Sequence, residues 1–294
     1  MCALGDTSTI TALMHQSHKE KNDMNTSVPE NTYGIVDRET CQDSASIIVE
    51  QIQRLGFAVV HVGMSESDIN QLKLEFEVVR NAYARQHDVE YLTSIDEHNT
   101  MRMPLLASAQ FRSLASNQSL HSVVGRLING NYILNQQNGI INPPHERYNQ
   151  AAWHRDLPYQ HFVSSVPLAI NALYCVDDFT TSNGATYVLP GSHLHPKFPS
   201  LEYVREHAIQ VEAPAGSFLV LDCMLFHCGG WNQTTRPRRA VNHVFSIPYF
   251  KHQISMRSVE EICQLSDFQS KLFGVHASEP STVEEYLSRR KPRL

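Results

Sequence analysis

Three side chains in this 294-residue chain have the types and spacing to hold a metal ion. His154-Arg155-Asp156 lies in a run read as a strand over 152–156. Residues two apart on a strand project to one face, so the imidazole and the carboxylate can point inward together. The triplet alone carries little, because a chain with 16 histidines yields such patterns by chance. A mononuclear non-haem Fe(II) centre needs one more histidine and leaves the opposite positions open for a cosubstrate and dioxygen. His227 is the third candidate: it follows the apolar run 217–226 and precedes Cys228-Gly229-Gly230, a strand emptying into a tight turn. Taken singly, a histidine after an apolar run is more often a core or turn residue, and His-Arg-Asp reads as well as a surface ion pair. Arg238 strengthens the joint case. It lies in Arg236-Pro237-Arg238-Arg239-Ala240, and an arginine at a strand start offers a rigid fork for one carboxylate of a dicarboxylate.

The elements that must position these residues are legible in outline. Ile47, Ile48, Ile52 and Leu55 have helical spacing closed by Gly56, and Phe57 to Val62 then reads as a strand. A second helix starts at Ser65 to Ser67 and buries Ile69, Leu72, Leu74, Phe76 and Val79. From about residue 130 the texture changes to short alternating runs, at 131–137, 152–156, 167–176, 185–189, 209–212, 217–221 and 239–247. Many short strands at this spacing predict a sandwich or barrel of antiparallel sheets, with further helices near 258–272 and 281–290. The fold class is α+β, a β-rich core buttressed by flanking helices. Residues 1–30 read as a flexible polar arm and 31–294 as one domain.

Composition excludes several functions. With 24 basic against 30 acidic residues and a formal charge of −6, there is no electrostatic reason to expect nucleic acid as a partner. No apolar run approaches the roughly 20 residues needed to cross a bilayer, so no membrane partner is expected. Six scattered cysteines without close pairs, and no apolar leader, predict reduced thiols and a cytoplasmic protein. The basic tail from Arg289 to Leu294 reads as a solvated end.

Together with Asn183-Gly184-Ala185-Thr186-Tyr187-Val188-Leu189-Pro190-Gly191-Ser192-His193 and Phe226-His227-Cys228-Gly229-Gly230, these segments resemble the phytanoyl-CoA dioxygenase family of Fe(II)- and 2-oxoglutarate-dependent oxygenases. The matched order runs from about Gln137 to Pro248. The resemblance implies a double-stranded β-helix, or jelly roll. It implies His154, Asp156 and His227 as catalytic Fe(II) ligands, and Arg238 as the salt-bridge partner of the far carboxylate of 2-oxoglutarate. It also implies cosubstrate contacts from Gln137, from Asn135 on the same strand face, and from the Thr186 hydroxyl. One departure stands out: some members carry serine two residues after the distal histidine, bonded to the cosubstrate, where this chain has Gly229. That contact must be absent or replaced. His193, in a Pro-Gly-Ser-His turn, reads as architectural.

The implied reaction consumes O2 and 2-oxoglutarate, releases succinate and CO2, and hydroxylates a C–H bond of a small organic metabolite. Because Asp156 keeps the carboxylate ligand position, a halide has no vacated site, which favours hydroxylation over halogenation. Candidate substrate contacts are Arg102 and Met103, before the core, and Tyr159, Gln160 and His161, after the metal strand. The stretch from Gly139 to Tyr148 reads as a mobile loop beside the site. Two other readings stay open: a cupin-like metal-dependent hydrolase or isomerase, which leaves Arg238 unexplained, and a non-catalytic metabolite-binding jelly roll.

Overall fold

The computed structural model describes residue 28 and residues 31–157, 163–277 and 279–290. The chain divides into two units, Met1–Thr40 and Cys41–Leu294. In the first, Arg38 donates a hydrogen bond to the Thr32 hydroxyl. The expected arm over 1–30 lies outside the described residues except for Val28, as does the end of the basic tail, 291–294. Among the described residues, all the regular elements lie in the second unit.

Asp43 caps α1 (Ser44–Leu55) by accepting from the Ser46 amide at 2.9 Å, and Gly56, in the left-handed region at φ 88°, closes it. The chain turns directly into β1 (Phe57–His61) and then α2 (Glu66–His87), capped by Ser65. Next come α3 (Val89–Ser94), β2 (Thr100–Arg102), α4 (Pro104–Ala107), α5 (Ala109–Ala115) and α6 (Gln118–Ile128). The β-rich half follows, with β3 (Ile133–Asn142), β4 (Ala169–Cys175), β5 (Tyr187–Val188), α7 (Leu201–His207) and β6 (Ile209–Gln210). It ends with β7 (Ser217–Asp222), β8 (His227–Cys228) and β9 (Arg238–Ser246), before α8 (Arg257–Ile262), α9 (Asp267–Leu272) and α10 (Val283–Ser288).

The main sheet has six antiparallel strands in the order β1-β7-β4-β9-β3-β2, and a smaller sheet runs β6-β5-β8. Alternation along each strand sorts residues to two faces. Ile170, Ala172, Tyr174, Phe218, Val220, Val241 and Phe245 face the helices and form the large core with Phe76, Phe111, Leu120 and Leu127. Asn171, Leu173, Leu219, Leu221 and Ala240 face the other way, toward the small sheet, where the metal candidates lie. This is the jelly-roll arrangement of two facing sheets, and it is not closed into a barrel.

The expected strand over 152–156 is reduced to one bridging residue, His154, paired with His227. The expected loop from Gly139 is strand as far as Asn142, paired through to Arg238, and Tyr148 beyond it is buried. Among the described residues, no helix is long and apolar enough to cross a membrane. Cys175, Cys223, Cys228 and Cys263 form no disulfide.

Candidate metal and cosubstrate site

His154 and His227 exchange backbone hydrogen bonds at 3.0 and 3.1 Å, which sets their imidazoles side by side with ring centroids 4.4 Å apart. Each ring turns its Nδ1 to a carbonyl two residues earlier, Ala152 at 2.8 Å and Leu225 at 3.0 Å. A carbonyl only accepts, so Nδ1 carries the proton and the Nε2 lone pair is left for a metal. Asp156 Oδ1 lies 4.0 Å from His154 Nε2 and 3.7 Å from His227 Nε2, and the three ligand atoms all fall within 4.8 Å of one another. Its other oxygen, Oδ2, accepts from Asn171 Nδ2 at 2.8 Å. Burial lowers the His227 pKa from its ordinary value, with Asp156 pulling the other way, so desolvation favours the neutral ligand form. Among the described residues, this is the one group of three such side chains with a metal-binding spacing.

The triplet is held from its middle residue. Arg155 is buried, stacks 3.8 Å over the Phe226 ring, and donates to the carbonyls of Met224 at 2.6 Å, Ser192 at 2.9 Å and Pro196 at 3.1 Å. It therefore pins the metal segment to the turn after β5 from a buried position. His193 in that turn bonds the Gln53 carbonyl at 3.0 Å, in keeping with an architectural role.

Arg238 begins β9, opposite Asn142 of β3, and only 3% of it is exposed. Its guanidinium lies 4.0 Å over the Phe179 ring, and Nη2 reaches the Tyr148 hydroxyl at 3.4 Å. Nε has no partner, and among the described residues no carboxylate pairs with this cation. Burying an unpaired guanidinium costs several kcal/mol unless something charged arrives to meet it. Its cleft is shared by His154, His227, Thr186, Gly229, Tyr148 and Asn171. Burial raises the Tyr148 pKa, with Arg238 acting in the opposite sense.

The fold thus brings His154, Asp156, His227, Arg238 and Thr186 together. Gln137 is a correction: it pairs across the sheet with His243, on the helix-facing side, where its Nε2 lies 2.8 Å from the Phe111 carbonyl and 2.9 Å from His243 Nε2. Asn135 is also absent from the cleft, because a bulge between Leu134 and Gln136 breaks the alternation, and its side chain bonds the Lys251 carbonyl at 2.8 Å. Arg102 shares the cleft-facing side but sits on β2, two strands and about 10 Å from Asn242 of β9. There it is paired with Glu97 through Nε at 2.9 Å. Met103 turns the other way and is core, 3% exposed. Tyr159, Gln160 and His161 lie outside the described residues. Sequence reasoning missed Asn171, whose signal is a lone amide inside the apolar run of β4, and Tyr148, which has no local signal. A separate cavity of about 410 Å³ lies by Ile133, Phe250 and His252 and contains none of the metal candidates.

A family model of phytanoyl-CoA dioxygenase matches residues 52–240. The chain belongs to the phytanoyl-CoA dioxygenase family. Membership makes it a non-haem iron, 2-oxoglutarate-dependent dioxygenase, with the cofactor chemistry the motifs imply. An uncharacterised protein of Mycobacterium tuberculosis is 27% identical over 255 residues, covering 84% of this chain and 93% of the relative. The iron/alpha-ketoglutarate-dependent dioxygenase penM of Penicillium thymicola is 31% identical over 102 residues, 32% of either chain. Among solved structures, EctD from S. alaskensis with 2-oxoglutarate and 5-hydroxyectoine superposes at TM-score 0.58 and 20% identity, covering 71% of this chain and 79% of that one. The epimerase SnoN, solved with Fe3+, alpha ketoglutarate and nogalamycin RO, gives 0.53 and 17%, covering 72% and 88%. At these identities the likeness is one of fold, and it supports the jelly roll for this family member.

Proposed function

We propose that this phytanoyl-CoA dioxygenase family member hydroxylates a C–H bond of a small organic molecule and releases succinate and CO2 from 2-oxoglutarate. In this reading His154, Asp156 and His227 hold Fe(II), and Arg238 and Thr186 bind the far carboxylate of the cosubstrate. The observation that carries it is the buried, carboxylate-free Arg238 opening into the same cleft as two imidazoles whose Nε2 atoms are unblocked. A hydrolytic reading leaves such a cation unexplained, whereas a dicarboxylate neutralises it.

When bound, the iron couples oxidative decarboxylation of the cosubstrate to activation of O2. The protein's own part is orientation and exclusion of water. The carbonyls of Ala152 and Leu225 fix the two rings, and Asn171 fixes the Asp156 carboxylate. Ile140, Leu173, Leu221 and Ala240 give the cleft an apolar floor that keeps the reacting centre dry. An aspartate in the carboxylate position supports hydroxylation over halogenation. That EctD and SnoN were solved with small organic molecules supports a small-molecule substrate here.

The test is an anaerobic titration of the apoprotein with Fe(II) and then 2-oxoglutarate, watching for a weak metal-to-ligand charge-transfer band in the visible. The band is expected in the wild type, absent in His227→Ala, and shifted to much higher 2-oxoglutarate in Arg238→Ala. Bound iron with no band in the wild type would overturn the reading.

A further inference from the structure

Gly229 follows His227 by two residues and lines the cleft, but the space its side chain would take is filled. A Cβ built there would lie 2.0 Å from the Tyr148 hydroxyl oxygen, 2.8 Å from Cζ and 3.0 Å from Cε1. The hydroxyl therefore stands where a side chain at position 229 would begin. Tyr148 reaches the place from the segment joining β3 to the metal residues. That segment is tied down by hydrogen bonds from the His145 amide to the Asn232 carbonyl at 2.9 Å and from Asn149 to the Asp96 carbonyl at 3.1 Å. A third tie, from the Gly229 amide to the Gln150 carbonyl at 2.7 Å, holds the two partners of the close approach together.

The direction of the hydrogen bond matters. Arginine only donates, so Arg238 Nη2 donates to the Tyr148 oxygen, and the phenolic hydrogen is left to point elsewhere. We propose that Tyr148 donates this hydrogen to the carboxylate that Arg238 binds, supplying from a distant segment the hydroxyl contact that position 229 cannot make. Guanidinium and phenol then form one carboxylate cradle, and Gly229 is glycine because the tyrosine needs its room. The proposal rests on the 2-oxoglutarate reading above.

The test reads binding, not turnover: anaerobic charge-transfer titration of Fe(II)-loaded protein and calorimetry on Zn(II)-loaded protein. Tyr148→Phe keeps the ring and loses only the hydroxyl, so 2-oxoglutarate is expected to bind roughly ten-fold or more weakly, the loss of a hydrogen bond to a charged group. The preference for 2-oxoglutarate over 2-oxopentanoate, which lacks the far carboxylate, should fall by a similar factor. A defect of packing alone would weaken both ligands equally. Tyr148→Ala/Gly229→Ser, with the ring removed and a hydroxyl returned from the other side, should bind 2-oxoglutarate more tightly than Tyr148→Ala. Unchanged affinity and preference in Tyr148→Phe, while Arg238→Ala loses both, would overturn the role of Tyr148 and leave the cosubstrate reading standing. A double variant no better than Tyr148→Ala would likewise overturn the exchange of positions. No 2-oxoglutarate binding by the metal-loaded wild type would overturn the reading itself, and this proposal with it.

Discussion

The two oxygens of Asp156 face different partners: Oδ2 accepts from Asn171, while Oδ1 is turned toward the Nε2 atoms of both histidines. A carboxylate free to rotate would present either oxygen, and the loss of a partner that orients a ligand typically costs ten- to a hundred-fold in metal affinity, an order-of-magnitude figure. Asn171→Ala is therefore expected to weaken Fe(II) binding by roughly that factor with little change in thermal stability of the apoprotein. Competition titration against a chelator of known affinity measures it, and unchanged affinity would remove Asn171 from the site. Asn171 also shows which residues a sequence reveals. His154, Asp156, His227 and Arg238 have types that few other roles explain, and they sit in recognisable motifs. An asparagine in an apolar strand announces a buried amide without saying what it bonds, and Tyr148 is announced by nothing. Gln137 and Asn135 fail for a different reason: which face a strand residue occupies depends on its unbroken register, and the bulge between Leu134 and Gln136 is invisible in the sequence.

At the scale of elements, the long pieces are legible because their own periodicity is strong. The helix closed by Gly56, the strand after it, and β4, β7 and β9 of the main sheet fall close to where the alternation puts them, whereas β3 runs on to Asn142 and β2 lies outside the alternating runs. The two-residue strands β5 and β6 fall within the expected runs 185–189 and 209–212, but their length and pairing are set by their partners, since two residues carry no period. The expected helix over 258–272 is two, because Ser266 starts a fresh one with a capping box to Gln269. Gly56 shows how one residue joins local and distant structure. Its positive φ ends α1, its carbonyl accepts from the Asp222 amide at 2.8 Å, and a Cβ would meet Leu225 Cδ1 at 2.5 Å and His193 Nδ1 at 2.7 Å. Gly56→Ala combines left-handed strain with a clash in the layer behind the metal strands, so a loss of at least about 2 kcal/mol is expected. Urea unfolding of the apoprotein checks it, and a midpoint within error of the wild type would show that the turn relaxes freely.

At the scale of the whole molecule, the buried histidines on the helix side of the sheet couple folding to pH. His243 is fully buried among Gln137, Phe218, Phe245 and the Ala172 carbonyl, and burial pushes its pKa down to about 4 from an ordinary 6.5. Burial likewise lowers His121, which stacks on Tyr132, and His252. A histidine that resists protonation in the fold is protonated more readily in the unfolded chain. Its stabilising contribution is therefore complete above about pH 6.5 and is lost as pH falls toward 4. For His243 alone the slope is roughly 1.4 kcal/mol per pH unit, or about 3 kcal/mol over the window. Asp222 runs the other way, because burial raises its pKa and acid relieves its charge. The raw pH profile therefore mixes signs, and the informative quantity is a difference between two proteins that share every other group. His243→Gln keeps a donor for the Ala172 carbonyl and an acceptor for Gln137 but cannot take up a proton in this range. Metal-free wild type should lose about 2 kcal/mol more than His243→Gln between pH 7 and pH 5 in urea unfolding. Equal losses would mean that His243 already exchanges protons in the folded state, against its complete burial behind the sheet that carries the site.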